Sequence, residues 1–392
     1  MKLAARYAHM LGATGDGWAI LFRAREMIAA GQQVTMLTIG EPDVKTAPAI
    51  LAAMDASARG GNTGYTDIEG QRSLRREIAA RVQARTGVPT RPGQVIVTPG
   101  GQAALFAAHM LVLDAGDTGL YIEPYYPTYP GTIRAGGGEA LAVPTRPENN
   151  FQPEVAQLDS AAKASGAKSL LINTPNNPTG VIYSRATLDG VAEVCQRHDL
   201  WLISDEVYDT QVWAGTHVSP RTLPGMQERT MVLGSLSKSH AMTGSRIGWI
   251  VAPEPVVEAT HQLAINTTYG VPGFVQDAAL FALRQGSEAE ARNAAPYRRR
   301  RDIAARTLGG SQALRLIHPE GAMYVMADVR ATGLSGDAFA RRLLDEARIG
   351  VMPGESFGKA AAGHLRIALT QEDAVLEDAL GRLRAFAEAL LP

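Results

Sequence analysis

The sequence predicts a three-layer α/β fold, with a mainly parallel sheet in a large domain and a smaller α+β domain beside it. Three observations lead there. Short continuous apolar runs have the length of strands buried on both faces. Segments of helical period separate them. Glycine, proline and polar residues cluster just after the runs, where ligands bind in open α/β sheets.

In chain order, Asp16 to Ala30 has the pattern of an N-terminal helix. Gln94 to Thr98 reads as a buried strand, Pro99 to Gly101 as a turn, and Gln102 to Leu113 as an apolar helix. Gly119 to Ile122 is a second strand, ended by Glu123 and Pro124. Ser169 to Asn173 is a third, followed by a loop with Pro175, Pro178 and Gly180. A helix over 184–198 leads to the strand Leu200 to Ser204, and Thr230 to Gly234 and Arg246 to Val251 complete the set. The remainder reads as a smaller unit. It has a long helix over 291–308, a strand over 321–327, amphipathic helices over 336–347 and 372–390, and the strand His364 to Leu369 between them. The expected division is a large domain at 46–288 and a small one formed by 1–45 with 289–392.

Composition narrows the function. The 392 residues carry a formal net charge of −1, which argues against a broad nucleic-acid surface. The basic run Arg298 to Arg301 reads as a solvated helix face. The one cysteine, Cys195, falls in an apolar helical pattern and cannot form an internal disulfide. No secretory signal is visible, and no run approaches the ~20 apolar residues of a membrane span. A soluble, cytoplasmic protein is expected. The eight histidines are scattered, so no metal site is expected.

Chemistry concentrates at the strand ends. Lys238, in Gly-Ser-Leu-Ser-Lys, lies just past a buried strand, where desolvation lowers an amine's pKa and makes it nucleophilic toward an aldehyde. Arg246 follows eight residues later. Asp205 ends another strand, where a carboxylate needs a cation, and Tyr208 lies three residues on. Asn177 follows a third strand end. Gly100 and Gly101 let backbone N–H groups face an anion at a helix N-terminus. Such a set suits pyridoxal phosphate, whose ring stays an electron sink while an acidic residue keeps its nitrogen protonated.

Asn-Asn-Pro-Thr-Gly, Ser-Asp-Glu-Val-Tyr and Ser-Leu-Ser-Lys-Ser-His-Ala-Met-Thr-Gly-x-Arg follow one another in that order. With them the chain resembles the fold-type I pyridoxal-phosphate aminotransferases of the class I/II family over nearly its whole length. By that resemblance Lys238 forms the internal aldimine and Asp205 pairs with the pyridine nitrogen. Asn177 and Tyr208 contact the ring hydroxyl, and Tyr126 stacks on the ring. Gly101, Gln102, Ser235 and Arg246 hold the phosphate, with Gly100 in the same loop. Tyr65 matches the tyrosine that reaches the neighbouring subunit's phosphate, which implies a homodimer with shared sites. Arg366 matches the arginine that clamps the substrate α-carboxylate, a planar group suited to a guanidinium fork. The backbone of Gly40 meets the same carboxylate.

Two positions depart from the family pattern. Gln102 stands where some aspartate-using relatives carry lysine, which argues against aspartate as the donor. Ser245 stands where many relatives have tryptophan. The stretches 217–226 and 235–243 resemble arginine–pyruvate transaminases, and with Asp16 and Trp18 near the entrance a basic or neutral donor is expected. Three other readings compete. A β-eliminating lyase would reuse every cofactor residue. A serine acyl-enzyme would need Ser-Asp-Asn and Lys-Thr-Gly partners for Ser235-Leu-Ser-Lys238, and neither occurs. A cofactor-binding regulator would carry a DNA-binding region.

Overall fold

The computed structural model describes residues 1–11 and 18–391. The expected helix start at Asp16 lies outside the described residues, within which the helix runs Ala19–Ala29.

Seven strands build the larger sheet: β2 (Val95–Thr98), β3 (Thr118–Glu123), β4 (Glu139–Pro144), β5 (Ser169–Asn173), β6 (Trp201–Asp205), β7 (Thr230–Ser235) and β8 (Gly248–Val251). Their order is β2-β8-β7-β6-β5-β3-β4. The pairs β3–β4, β3–β5, β5–β6 and β6–β7 are parallel, whereas β8 runs antiparallel to both β2 and β7. The sheet is thus mainly parallel, as the apolar runs predict. Alternate residues of those runs feed opposite layers. Val95, Val97, Trp249 and Val251 pack with helices on one face. Ile96, Ile203, Leu233 and Ile250 pack on the other.

A second sheet, ordered β1-β11-β12-β10-β9, gathers β1 (Thr35–Leu37), β9 (Arg315–Ile317), β10 (Tyr324–Asp328), β11 (Ile349–Pro353) and β12 (His364–Ala368). Only β1–β11 is parallel among its pairs. Arg366 sits in the central strand β12, opposite Met326 on β10 and Met352 on β11. The helices Gly286–Leu308, Gly336–Ala347 and Asp373–Glu388 cover this sheet with apolar side chains such as Ile303, Phe339, Leu343 and Leu380.

Three local expectations are corrected. The expected strand at 246 begins only at Gly248, because Arg246 has φ 51° and belongs to the preceding turn. The expected strand at 321 begins at Tyr324, after Ala322 at φ 58°. Arg298 to Arg301 is not one solvated face. A helix turns about 100° per residue, so four successive side chains cannot share a side. Arg299 points outward, while the Arg300 side chain is only 6% exposed and pairs with Asp43 and Asp373. Cys195 is buried in the helix Arg185–Arg197, as expected.

Candidate active site

The carboxyl ends of the parallel strands share one edge, and each carries polar groups there. β5 ends at Asn173 and β6 at Asp205, paired in register. β7 ends at Ser235, and the turn that follows carries Lys238. Because β8 runs the opposite way, its start lies beside the end of β7, with Ser235 opposite Gly248. Arg246 therefore arrives at the same edge. A Cβ at Gly248 would lie 2.8 Å from Gly100 C, Gly101 N and Gly234 O, so only glycine permits these segments to meet.

A cavity of about 300 Å³ opens at this edge. Gly40, Gly101, Gln102, Tyr126, Asn177, Asp205, Tyr208, Ser235, Lys238, Arg246 and Arg366 all line it. Gly100 stands just behind, its Cα facing the Arg246 guanidinium. Tyr65 is elsewhere: it is 89% exposed, and its ring lies edge-on to Tyr269 with centres 5.1 Å apart.

At one end of the cavity, Gly100 at φ 82° caps the helix Gly101–Val112, whose first N–H groups have no intrahelical partners. Ser235 and Arg246 flank that helix end. Arg246 donates to the carbonyl of Thr243 at 2.7 Å and pairs with no carboxylate among the described residues. Its left-handed backbone costs about 1 kcal/mol, and such strain concentrates at ligand sites. A helix N-terminus, a hydroxyl and an uncommitted guanidinium together fit a phosphate.

Deeper in, Asp205 is half-buried at the end of β6, and desolvation pushes its carboxyl up to about 6. The Tyr129 hydroxyl donates to its Oδ2 at 2.7 Å, and the Val207 N–H donates to Oδ1 at 3.3 Å. It forms no ion pair among the described residues, so a protonated ring nitrogen is the kind of partner it lacks. Asn173 donates to the Asp205 carbonyl at 2.9 Å and accepts from the Asn177 N–H at 2.8 Å, tying the two strand ends together. The hydroxyls of Tyr208 and Tyr324 share a hydrogen bond of 2.9 Å.

Lys238 is half-buried, and desolvation brings its amine down to about 8. Its Nζ donates to the carbonyl of Gly40 at 2.6 Å. A Cβ at Gly40 would run into the Tyr324 hydroxyl, so that carbonyl approaches the lysine only because residue 40 is glycine.

Arg366 closes the opposite end. Its guanidinium lies between the rings of Tyr324 and Phe357, 4.6 Å from each centre. It donates to Asn177 Oδ1 at 3.0 Å and to the Thr38 carbonyl. Nε has no hydrogen-bond partner, and no carboxylate pairs with this buried cation among the described residues. A buried guanidinium left without an anion is costly unless a ligand supplies one.

The comparisons agree with this geometry. The model of "Aminotransferase class I and II" matches residues 32–383. The chain belongs to that family. It is a pyridoxal-phosphate-dependent aminotransferase, and the phosphate cradle, Asp205, Lys238 and Arg366 fit that cofactor and an amino-acid carboxylate. The arginine–pyruvate transaminase of Pseudomonas aeruginosa is 44% identical over 382 residues, 96% of each chain. The aspartate/prephenate aminotransferase of Thermus thermophilus is 35% identical over 93% of this chain and 94% of its own. A solved structure of the Thermus thermophilus aspartate aminotransferase with maleate superposes with a TM-score of 0.91 at 32% identity, covering 98% of this chain and all of that one.

Sequence reasoning missed Tyr129, Asn173, Tyr324 and Phe357. Two had a signal: Asn173 as the strand end that opens the Asn-Thr-Pro-Asn-Asn-Pro-Thr-Gly run, and Tyr129 as the last tyrosine of Tyr125-Tyr-Pro-Thr-Tyr129. Among the described residues, no group of three or more His, Cys, Asp or Glu side chains is placed to hold a metal ion, and no helix is long and apolar enough to cross a membrane.

Proposed function

We propose that this aminotransferase takes the amino group of a basic or neutral L-amino acid, rather than aspartate, and passes it to a 2-oxo acid. The observation that carries the amino-acid site is the buried Arg366 guanidinium, which faces the cavity with no carboxylate partner among the described residues. Asn177 and the Thr38 carbonyl orient it, leaving donors for the substrate α-carboxylate. The Gly40 backbone lies at the same end.

When bound, pyridoxal phosphate supplies an aldehyde for the donor's nitrogen and a ring that accepts the electron pair left by the α-proton. Asp205 holds a proton on the ring nitrogen. Asn177 and Tyr208 orient the ring hydroxyl, with the Tyr208–Tyr324 pair fixing the phenol. Tyr126 covers the ring face. Gly100, Gly101, Gln102, Ser235 and Arg246 bind the phosphate. Lys238 would hold the cofactor through its amine and, once released, would take the proton from the donor's Cα. An amine near pH 8 suits that work, because a useful fraction is neutral at physiological pH.

Donor choice rests on the wall beyond Arg366. Gln102 offers no cation for a side-chain carboxylate, and its Oε1 accepts from Thr128 at 3.1 Å. Past Trp18 and Gln102 a second cavity of about 780 Å³ continues, with Glu355 in its lining. That gives a long side chain room. The relative named for arginine and pyruvate supports the same reading. Asp16, also expected near the entrance, lies outside the described residues. Donors assayed against pyruvate and 2-oxoglutarate test the choice. Arginine or lysine should exceed aspartate at least about tenfold in kcat/KM, a difference of ~1.4 kcal/mol; an aspartate preference would refute it.

We further infer a cytoplasmic homodimer in which exposed Tyr65 reaches the partner's phosphate site, and a division into a large domain at 46–288 and a small one formed by 1–45 with 289–392. Sedimentation of the holoenzyme tests the dimer, and a monomer would remove Tyr65 from the site.

A further inference from the structure

The helix Gly286–Leu308 carries a buried guanidinium that takes no direct part in the chemistry above. Arg300 donates from NH1 to Asp43 Oδ1 and from NH2 to Asp43 Oδ2, both at 2.8 Å. Its Nε donates to Asp373 Oδ1 at 3.0 Å, and NH1 also donates to the carbonyl of Leu369 at 3.1 Å. The Tyr297 hydroxyl donates to the same Asp43 Oδ1 at 3.3 Å.

The two backbone segments joined by this cluster are the ones that form the carboxylate end of the cavity. Asp43 closes the segment 38–43, which brings the Thr38 carbonyl to Arg366 and the Gly40 carbonyl to Lys238. Leu369 directly follows β12, the strand that carries Arg366. Contacts on either side continue the seam: Thr370 donates to the carbonyl of Ile39 at 3.0 Å, and Gln371 to that of Met36 at 3.1 Å. Arg300 does not line the cavity.

We infer that Arg300 is a positioning residue, which locks the segment 38–43 against the end of β12 and so sets the shape of the α-carboxylate pocket. A stability role alone explains the arrangement less well. Ion pairs whose carboxylates reach solvent stabilise weakly, whereas a bidentate fork fixes two segments in one relative position. Lysine cannot reproduce that fork. A charge-assisted contact to the α-carboxylate that is partly lost should weaken binding roughly tenfold.

The inference rests on Arg366 being the carboxylate contact, and the experiment separates the two. Holoenzyme carrying Arg300→Lys, Asp43→Asn, both together, or Arg366→Lys is titrated with 2-methylalanine. This compound has the α-carboxylate but no α-proton, and its binding is followed by cofactor absorbance. KM for pyruvate, kcat, cofactor content and Tm are measured alongside. Arg300→Lys and Asp43→Asn should each raise the Kd of 2-methylalanine and the KM of pyruvate about tenfold, with kcat within about twofold and full cofactor content. The double variant should be no worse than either single one, as expected for two ends of one contact. Unchanged Kd and KM, even with a lower Tm, would overturn the inference, as would additive losses or a fall confined to kcat. Should Arg300→Lys fail to fold, the near-isosteric Asp43→Asn carries the same test. An Arg366→Lys variant with unaltered Kd would refute the underlying carboxylate reading instead.

Discussion

Lys238→Ala should lower transamination by at least about 10⁴-fold, the upper range for removing a positioned acid–base group, because on the proposed reading the same amine also anchors the cofactor. The surroundings explain why no neighbour replaces it. Burial has already brought Lys238 down to about 8. The other cations of the cavity are arginines, which do not deprotonate in proteins. Two measurements check the expectation. Borohydride should no longer fix the cofactor to the chain, and single-turnover exchange between donor and cofactor should fall with steady-state kcat. Normal activity in this variant would rule out Lys238 as both anchor and proton carrier.

Asp205→Asn should change activity and stability in opposite directions. Activity should fall about 10²–10³-fold, the usual cost of losing one preorganised electrostatic partner. Stability without the cofactor should rise. Asp205 in the folded chain titrates near 6, above its ordinary value of 3.8, because burial disfavours the carboxylate. Between pH 3.8 and 6 the folded chain holds more protons than the unfolded one, so stability falls as pH rises through that window. Above it the full penalty persists, on the order of 3 kcal/mol. Asparagine removes it while keeping an oxygen for the Tyr129 hydroxyl. Denaturant melts of the cofactor-free protein at pH 5 and 7.5 should show the variant gaining more at 7.5. An equal gain at both values, or a loss, would mean that Asp205 is not held as a desolvated carboxylate.

Legibility followed burial. The strands β2, β3, β5, β6 and β7 were readable because both faces are covered, which leaves a continuous apolar run. β4 was missed because it is an edge strand with mostly accessible side chains, in the short sequence Glu-Ala-Leu-Ala-Val-Pro. β1 and β9 have three residues each, too few for a period, and β11 follows directly on Arg348 in a left-handed turn at φ 57°. The site shows the same division. Lys238, Asp205, Asn177 and Arg246 lie within compact motifs. Tyr129 acts on Asp205 from 76 positions away, and Tyr324 meets Tyr208 across 116. Such pairings depend on which strand ends become neighbours. Arg300 was misread because a run of like residues hides which one faces inward.

The reversed direction of β8 turns sequence spacing into a ruler. Its entry lies beside the exit of β7, so one short link spans from Ser235 to Gly248 and carries both Lys238 and Arg246. On the proposed reading, one end of this link would hold the covalent anchor and the other the ionic one. Lengthening it would shift their separation directly, while the loops at the far edge of the sheet could grow without effect. Insertions and deletions among natural variants should therefore avoid residues 236–247.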